Sequence, residues 1–266
     1  MTISGNVKKM LTQFGEPVQY WLELGGEKID MNAQVGKTLS WNYEGRINCK
    51  VCGRKTKKSF AQGFCYPCFM NAPENSPCII NPEQCEGHEG GGRDPEWEIK
   101  HHVKPHVVYL AVSSGIKVGV TRHDQVPTRW IDQGASWVIK LAETPYRRIA
   151  GDIEVSLKAH MSDKTNWQRM LKNQLNTEID LLAEKARVHD LMQDEHKQYL
   201  SANDDIWELN YPVQQFPEKV KSINMDKIPQ GEGKLVGIKG QYLIFEDMRV
   251  LNVRKHTSYW VEWGIS

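Results

Sequence analysis

The 266-residue chain carries 34 lysines and arginines against 33 aspartates and glutamates, so no global field steers it to a polyanion. Any such binding must come from local patches. No run approaches the roughly 20 apolar residues of a membrane span, and the N-terminal MTISGNVKKMLTQFG has no apolar signal core, so a soluble, cytoplasmic and reducing setting is expected, without a membrane partner.

Residues 1–48 alternate in strand fashion (VQYWLEL, then KTLSWNYEG) around a Gly25-Gly26 turn, and read as a first β segment. Residues 49–104 hold all six cysteines. Cys49, Cys52, Cys65 and Cys68 stand as C-x2-C-x12-C-x2-C, two knuckles able to close on one tetrahedral ion. Nothing points to secretion, which argues against disulfides. Structural zinc is the expected ligand, with an iron–sulfur site as the alternative. Cys78, Cys85 and His88 supply three further ligand types, and either His101 or His102 completes a second tetrahedral set. The cations of residues 54–58 (Arg54, Lys55, Lys57 and Lys58) either contact phosphates or offset the charge of about −2 left by four thiolates on Zn²⁺. The second role needs no ligand and is the one taken here.

Residues 105–205 read as an α/β core with a helical extension. The stretch 106–122 is expected to be a hairpin about a Ser113-Ser114-Gly115 loop, pairing Val112 with Ile116, Leu110 with Val118, Ala111 with Lys117 and Tyr109 with Gly119. This register segregates an apolar face from one bearing Tyr109 and Lys117, whereas a two-residue loop would not. Pro127 fits the start of a short helix with Arg129 that ends at Gly134. The strand SWVIKLA follows, and then Thr144-Pro145 as an N-cap and first helical position. That helix buries Ala150, Ile153, Leu157 and Met161, with Glu154 at the edge of the stripe. Beyond residue 166, Leu171, Leu175, Ile179 and Leu182 fall at helical spacing. Residues 206–266 return to strands (GKLVGIKG, QYLIFED, MRVLNVR, SYWVEW) that combine with residues 1–48 or pack separately.

Between 106 and 167 the chain resembles the GIY-YIG nuclease superfamily. Val107-Val108-Tyr109 stands where that family has GIY, and Lys117-Val118-Gly119 where it has YIG. Arg129 and Glu154 match its arginine and glutamate in order, and Asn166 lies where some members carry an asparagine. The cysteine cluster with KVGVTR and RWIDQGA also looks like a prokaryotic family of unknown function. The resemblance implies an α+β fold, with a small three-stranded antiparallel sheet and flanking helices, preceded by the zinc module and framed by β-rich ends. It implies phosphodiester hydrolysis with Mg²⁺ or Mn²⁺ on Glu154, the scissile phosphate on Arg129, and Tyr109 acting as, or orienting, the base for the attacking water. Lys117 replaces the family's second tyrosine. A charged ammonium binds phosphate but accepts no proton.

The leading expectation is thus a zinc-containing nuclease acting through Tyr109, Lys117, Arg129 and Glu154, with Arg122 and Asn166 on the substrate. A non-catalytic nucleic-acid-binding module with Lys117, Arg122, Arg129, Arg147 and Arg148 on phosphates is the alternative, and an inert zinc-stapled interaction protein is the third.

Overall fold

The computed structural model describes residues 1–266 as a mixed α+β protein of two compact units. The first comprises residues 1–70, 171–173 and 209–266, and the second residues 71–170 and 174–208.

The first unit is built on an eight-stranded sheet that draws on both ends of the chain. Thr2–Asn6 pairs with Tyr259–Ile265, which pairs with Thr38–Asn48, which pairs in turn with Gln230–Lys239, all antiparallel. Tyr242–Phe245, Arg249–Asn252 and the parallel Lys221–Ser222 complete the path, and Lys55–Thr56 pairs at the far end of Thr38–Asn48. Period-2 alternation explains the burial. Leu39, Trp41 and Tyr43 turn inward with Val261 and Trp263, while Ser40, Asn42 and Glu262 turn out. Leu11–Gln13, Gln19–Leu24 and Glu27–Asp30 form a separate three-stranded sheet, turned at Gly25 and Gly26, both at positive φ.

The second unit holds the hairpin. His106–Val112 and Ile116–Arg122 pair in the register read from the sequence, with Tyr109 opposite Gly119 and Ala111 opposite Lys117. Trp137–Thr144 adds on the other side of His106–Val112, and a fourth strand, Ile206–Glu208, lies at the edge beyond it. This edge strand has only three residues, too few for a periodic signal. The helix Arg147–Lys158 packs Ala150, Ile153 and Leu157 onto Val108, Leu110, Val118 and Leu141. Its N-cap is Tyr146 rather than Thr144, because Thr144 remains the last residue of the strand.

The leucine stripe beyond residue 166 is not one helix. Trp167–Leu171 ends before Asn173, which sits at φ 53, and Leu181–Leu191 starts afresh under Asp180. The Asp180 carboxylate accepts from the backbone N–H groups of Leu182 and Ala183. Local caps here override an apolar spacing that by itself fits a helix. No helix is long and apolar enough to cross a membrane.

Candidate functional site

Two groups of side chains are arranged to hold metal. In the first unit Cys49, Cys52, Cys65 and Cys68 bring four sulfurs within 4.8 Å of one another. The Cys52 and Cys65 sulfurs lie 3.7 Å apart. Burial raises Cys49, but the backbone groups of Cys52, Cys65 and Val51 outweigh it and bring the thiol down to about 6. Burial and the neighbouring sulfurs push Cys68 up to about 12. Cys49 lowered beside Cys68 raised is the pattern of neighbouring thiols that cannot all ionise together, and a divalent cation would remove that conflict. A closed four-sulfur shell around an ion would leave no position for water.

The second unit holds Cys78, Cys85, Glu98 and His102, all buried, with ligand atoms again within 4.8 Å of one another. Glu98 and His102 lie one turn apart on the helix Pro95–His102, so both side chains leave the same face. The Glu98 carboxylate also accepts from the Ser76 hydroxyl at 2.9 Å. Its space comes from the glycine-rich loop, where a Cβ on Gly92 would stand 2.5 Å from Glu98 Cγ. Cys85 falls to about 4 through its hydrogen bond with Cys78, which keeps the proton and is raised correspondingly.

His88, expected from the sequence to be a ligand of this set, is not in it. It sits in the single turn Gly87–Glu89 and stacks on Tyr146, centroids 4.6 Å apart. His101 likewise turns away, with Nδ1 3.0 Å from the Arg122 guanidinium. The ligand that sequence reading missed is Glu98, and its spacing of four before His102 on a helix was the available signal. Two thiolates, a carboxylate and a neutral imidazole around Zn²⁺ would leave a charge of about −1. Beside them the buried Arg147 guanidinium donates to the Cys78 carbonyl at 2.9 and 2.8 Å and to the Ile79 carbonyl at 3.1 Å.

The protein is expected to bind two equivalents of zinc, one lost on Cys68→Ser and the other on Cys85→Ser. Glu98→Ala should weaken the second site at least tenfold while His88→Ala leaves two equivalents bound, as read by elemental analysis and chelator competition. One equivalent in the native protein, or loss on His88→Ala, would refute the assignment.

The third constellation surrounds a polar cavity of about 80 Å³ in the second unit. Tyr109, Lys117, Arg129 and Glu154 all line it, together with Gln133, Arg147, Asp163 and the apolar rim Ile79, Ile80 and Pro82. The hairpin register puts Tyr109 and Lys117 on one face, and Gly119 makes room for the phenol, since a Cβ there would lie 2.7 Å from Tyr109 Cζ and Oη. Gln133 links the pair: its carbonyl accepts from Lys117 Nζ, and its amide nitrogen donates to Tyr109 Oη at 3.0 Å.

Burial pushes the Tyr109 phenol up, against the pull of Arg129 and Gln133. Burial and then Arg129 bring Lys117 down to about 7, opposed by Glu154 and Asp163. Burial also raises Glu154, and Lys158 opposes it. Lys158 Nζ lies 3.4 Å from Glu154 and 3.5 Å from Asp163, between two carboxylates.

Arg122 and Asn166 do not reach this cavity. Arg122 engages His101 and, at 3.4 Å, Asp124, while Asn166 caps the helix Trp167–Leu171 by accepting from the Arg169 N–H. Gln133 and Asp163, which do line it, lie in stretches without a spacing pattern that would have singled them out.

The fold is mixed α+β, and two of these groups are side-chain sets that could hold a metal ion. A family described as a protein of unknown function, DUF2797, matches residues 36–261, and the chain belongs to that family. No curated protein and no solved structure matches the chain.

Proposed function

We propose that the protein hydrolyses phosphodiester bonds of nucleic acid at the Tyr109–Glu154 cavity, in the manner of a GIY-YIG-like nuclease whose zinc sites are structural. The observation that carries this reading is the convergence of Tyr109, Lys117, Arg129 and Glu154, separated by up to 45 positions in the chain, on one polar cavity.

Oxygen donors suit a hard divalent ion, and Glu154 with Asp163 already draws one cation, the Lys158 ammonium, between two carboxylates. Those two residues would hold Mg²⁺ or Mn²⁺ once Lys158 withdraws, and the ion would supply charge neutralisation at phosphate oxygens. Arg129 meets a phosphate oxygen from the other side. Lys117, neutral above about pH 7, uses its lone pair to take the proton of the attacking water. Tyr109 is hydrogen-bonded through its oxygen to Gln133, which leaves its own proton for donation. This division of roles answers the difficulty of an ammonium in the second tyrosine position.

The test is cleavage of labelled single-stranded, duplex and branched oligonucleotides by zinc-loaded protein with added Mg²⁺ or Mn²⁺. Cleavage that rises with pH to a plateau above about 7 is expected. No cleavage of any of them under either ion would overturn the reading. The binding-only alternative has one observation in its favour, the Glu154–Lys158 pair, and predicts oligonucleotide binding that divalent ions do not convert to cleavage.

Lys117 also makes a stability prediction that needs no substrate. The unfolded chain holds this proton up to about 10.5 and the folded protein only to about 7. The cost of burying the ammonium is therefore fully present below 7 and fades as pH rises to 10.5. Lys117→Met should be favoured over the native protein by several kcal/mol at acid pH, an advantage that shrinks towards pH 10.5. Urea unfolding of both proteins across that range checks it, and a pH-independent difference would show that Lys117 is not held neutral.

A further inference from the structure

The first zinc knuckle carries more positive charge than its metal needs. Between residues 45 and 70 there is no aspartate or glutamate, yet the stretch holds Arg46, Lys50, Arg54, Lys55, Lys57 and Lys58. Four thiolates around Zn²⁺ leave about −2, and two cations suffice to offset that. Arg54 is already committed, hydrogen-bonded to the Cys52 sulfur. Six cations against −2 leave a surplus of about +4 on one small surface, while the rest of the chain carries 28 lysines and arginines against 33 aspartates and glutamates. Neutralisation of the metal therefore does not account for the cluster.

The geometry makes this surplus a surface. Lys55 pairs across the ladder with Asn48, so their side chains share a face. The Asn48 side chain accepts from Arg46 Nε at 3.0 Å, and the Arg46 guanidinium lies 4.2 Å from the centre of the Trp260 ring. A row of Trp260, Arg46, Asn48 and Lys55 thus runs to the sheet edge. Alongside, Lys58 stands 5.4 Å from the Phe60 ring, and Phe60 packs edge-on to Tyr66 at 5.5 Å. Tyr66 is 57% exposed. Arg46, Lys55, Lys57 and Lys58 are exposed and none of them is in an ion pair.

Exposed cations beside an open aromatic ring, that of Tyr66, match a polymer that offers regularly spaced anions and unstacked rings. A duplex offers the anions but hides the ring faces, and an anionic membrane offers no rings at all. We propose that the Cys49–Cys68 knuckle is a docking surface for single-stranded nucleic acid, with backbone phosphates on Arg46, Lys55, Lys57 and Lys58 and a base stacked on Tyr66. The surface lies in the first unit, whereas the hydrolytic cavity is in the second, so either assignment can fail without the other.

The experiment is fluorescence anisotropy of a labelled oligothymidylate of about 20 nucleotides with full-length, zinc-loaded protein, without added Mg²⁺ or Mn²⁺, between about 50 and 200 mM salt. Four phosphate contacts predict a log–log salt slope of about −3. Lys55→Glu/Lys57→Glu should weaken binding at least tenfold and flatten the slope. Tyr66→Ala should weaken it about tenfold with the slope unchanged, since stacking releases no counterion. Zinc content measured on each variant shows that the knuckle is intact. The proposal is overturned by an absence of binding at the lowest salt, by native affinity in the double lysine variant, or by tighter binding to a duplex of equal length or to phosphatidylserine vesicles.

Discussion

Glu154→Ala abolishes divalent-ion-dependent cleavage, by more than about 10²-fold, while the protein unfolds within about 1 kcal/mol of the native midpoint energy; this is the result expected of the proposed site. The two halves of that expectation have separate causes. Glu154 is the innermost carboxylate of the cavity, and a divalent ion left with Asp163 alone loses its anchor. Stability changes little because burial already works against the charged carboxylate, and Lys158 keeps Asp163 as a partner at 3.5 Å. Arg129→Ala should cost about 10²–10³-fold in rate, the usual loss of one donor aimed at developing charge. If the cavity only binds, the pattern reverses: Arg129→Ala weakens affinity, and Glu154→Ala leaves it equal or tighter because a negative charge has gone. Measured single-turnover rates and affinities of the two variants separate these cases. Retention of full cleavage by Glu154→Ala would remove the proposed chemistry from this cavity.

The second large effect is one of packing. Gly151 lies on the buried side of the helix Arg147–Lys158, where the segment after Cys78 crosses it. A Cβ at this position would meet Glu83 N at 2.2 Å and the Pro82 carbonyl carbon at 2.3 Å. Both are backbone atoms, so no side-chain rotation relieves the clash, and the whole segment must lift. Gly151→Ala should therefore destabilise the second unit by about 3 kcal/mol, at the upper end for overpacking, despite alanine's better helix propensity. It should also lower affinity at the Cys78/Cys85/Glu98/His102 site, because Cys78 and Cys85 flank the displaced residues. Asp152→Ala is the control on the same helix. It removes only the partly exposed pair with Arg148 and should cost less than about 0.5 kcal/mol. Equal stability of the two variants in chemical denaturation would contradict the packing argument.

What the sequence made legible follows from how local each signal is. The hairpin register was readable because only one loop length keeps Val112, Leu110, Ile116 and Val118 on a single face. The four-cysteine knuckle was readable because its ligands sit at fixed short spacings. The second metal set is readable in part: Cys78 and Cys85 stand out and His102 is one of two alternatives, but spacing points to His88 where the fold brings Glu98. A carboxylate ligand looks like any helical surface glutamate until the glycines of residues 90–92 bring the loop over it. Gln133 and Asp163 were invisible for a different reason. Each reaches the cavity from a loop or helix end, where position depends on tertiary packing rather than on period. The break at Asn173 shows the converse error, in which a convincing apolar spacing yields to a left-handed residue and a fresh N-cap.

The sheet of the first unit imposes an order of events on a growing chain. Thr2–Asn6 finds its strand neighbour only in Tyr259–Ile265, and Thr38–Asn48, apart from the two residues paired with Lys55–Thr56, finds its neighbours in that strand and in Gln230–Lys239. Both partners are made some 190–260 residues later, whereas most of the second unit is one continuous run, residues 71–170 with 174–208. On the ribosome, at about 5–20 residues per second, the earliest strands wait on the order of ten seconds or more for their partners. The middle of the chain thus completes its core before the beginning does. Apart from the end held by Lys55–Thr56, the edges of the strand Thr38–Asn48 stand open throughout that interval, and it is there that nascent chains of this protein are most vulnerable to pairing with one another.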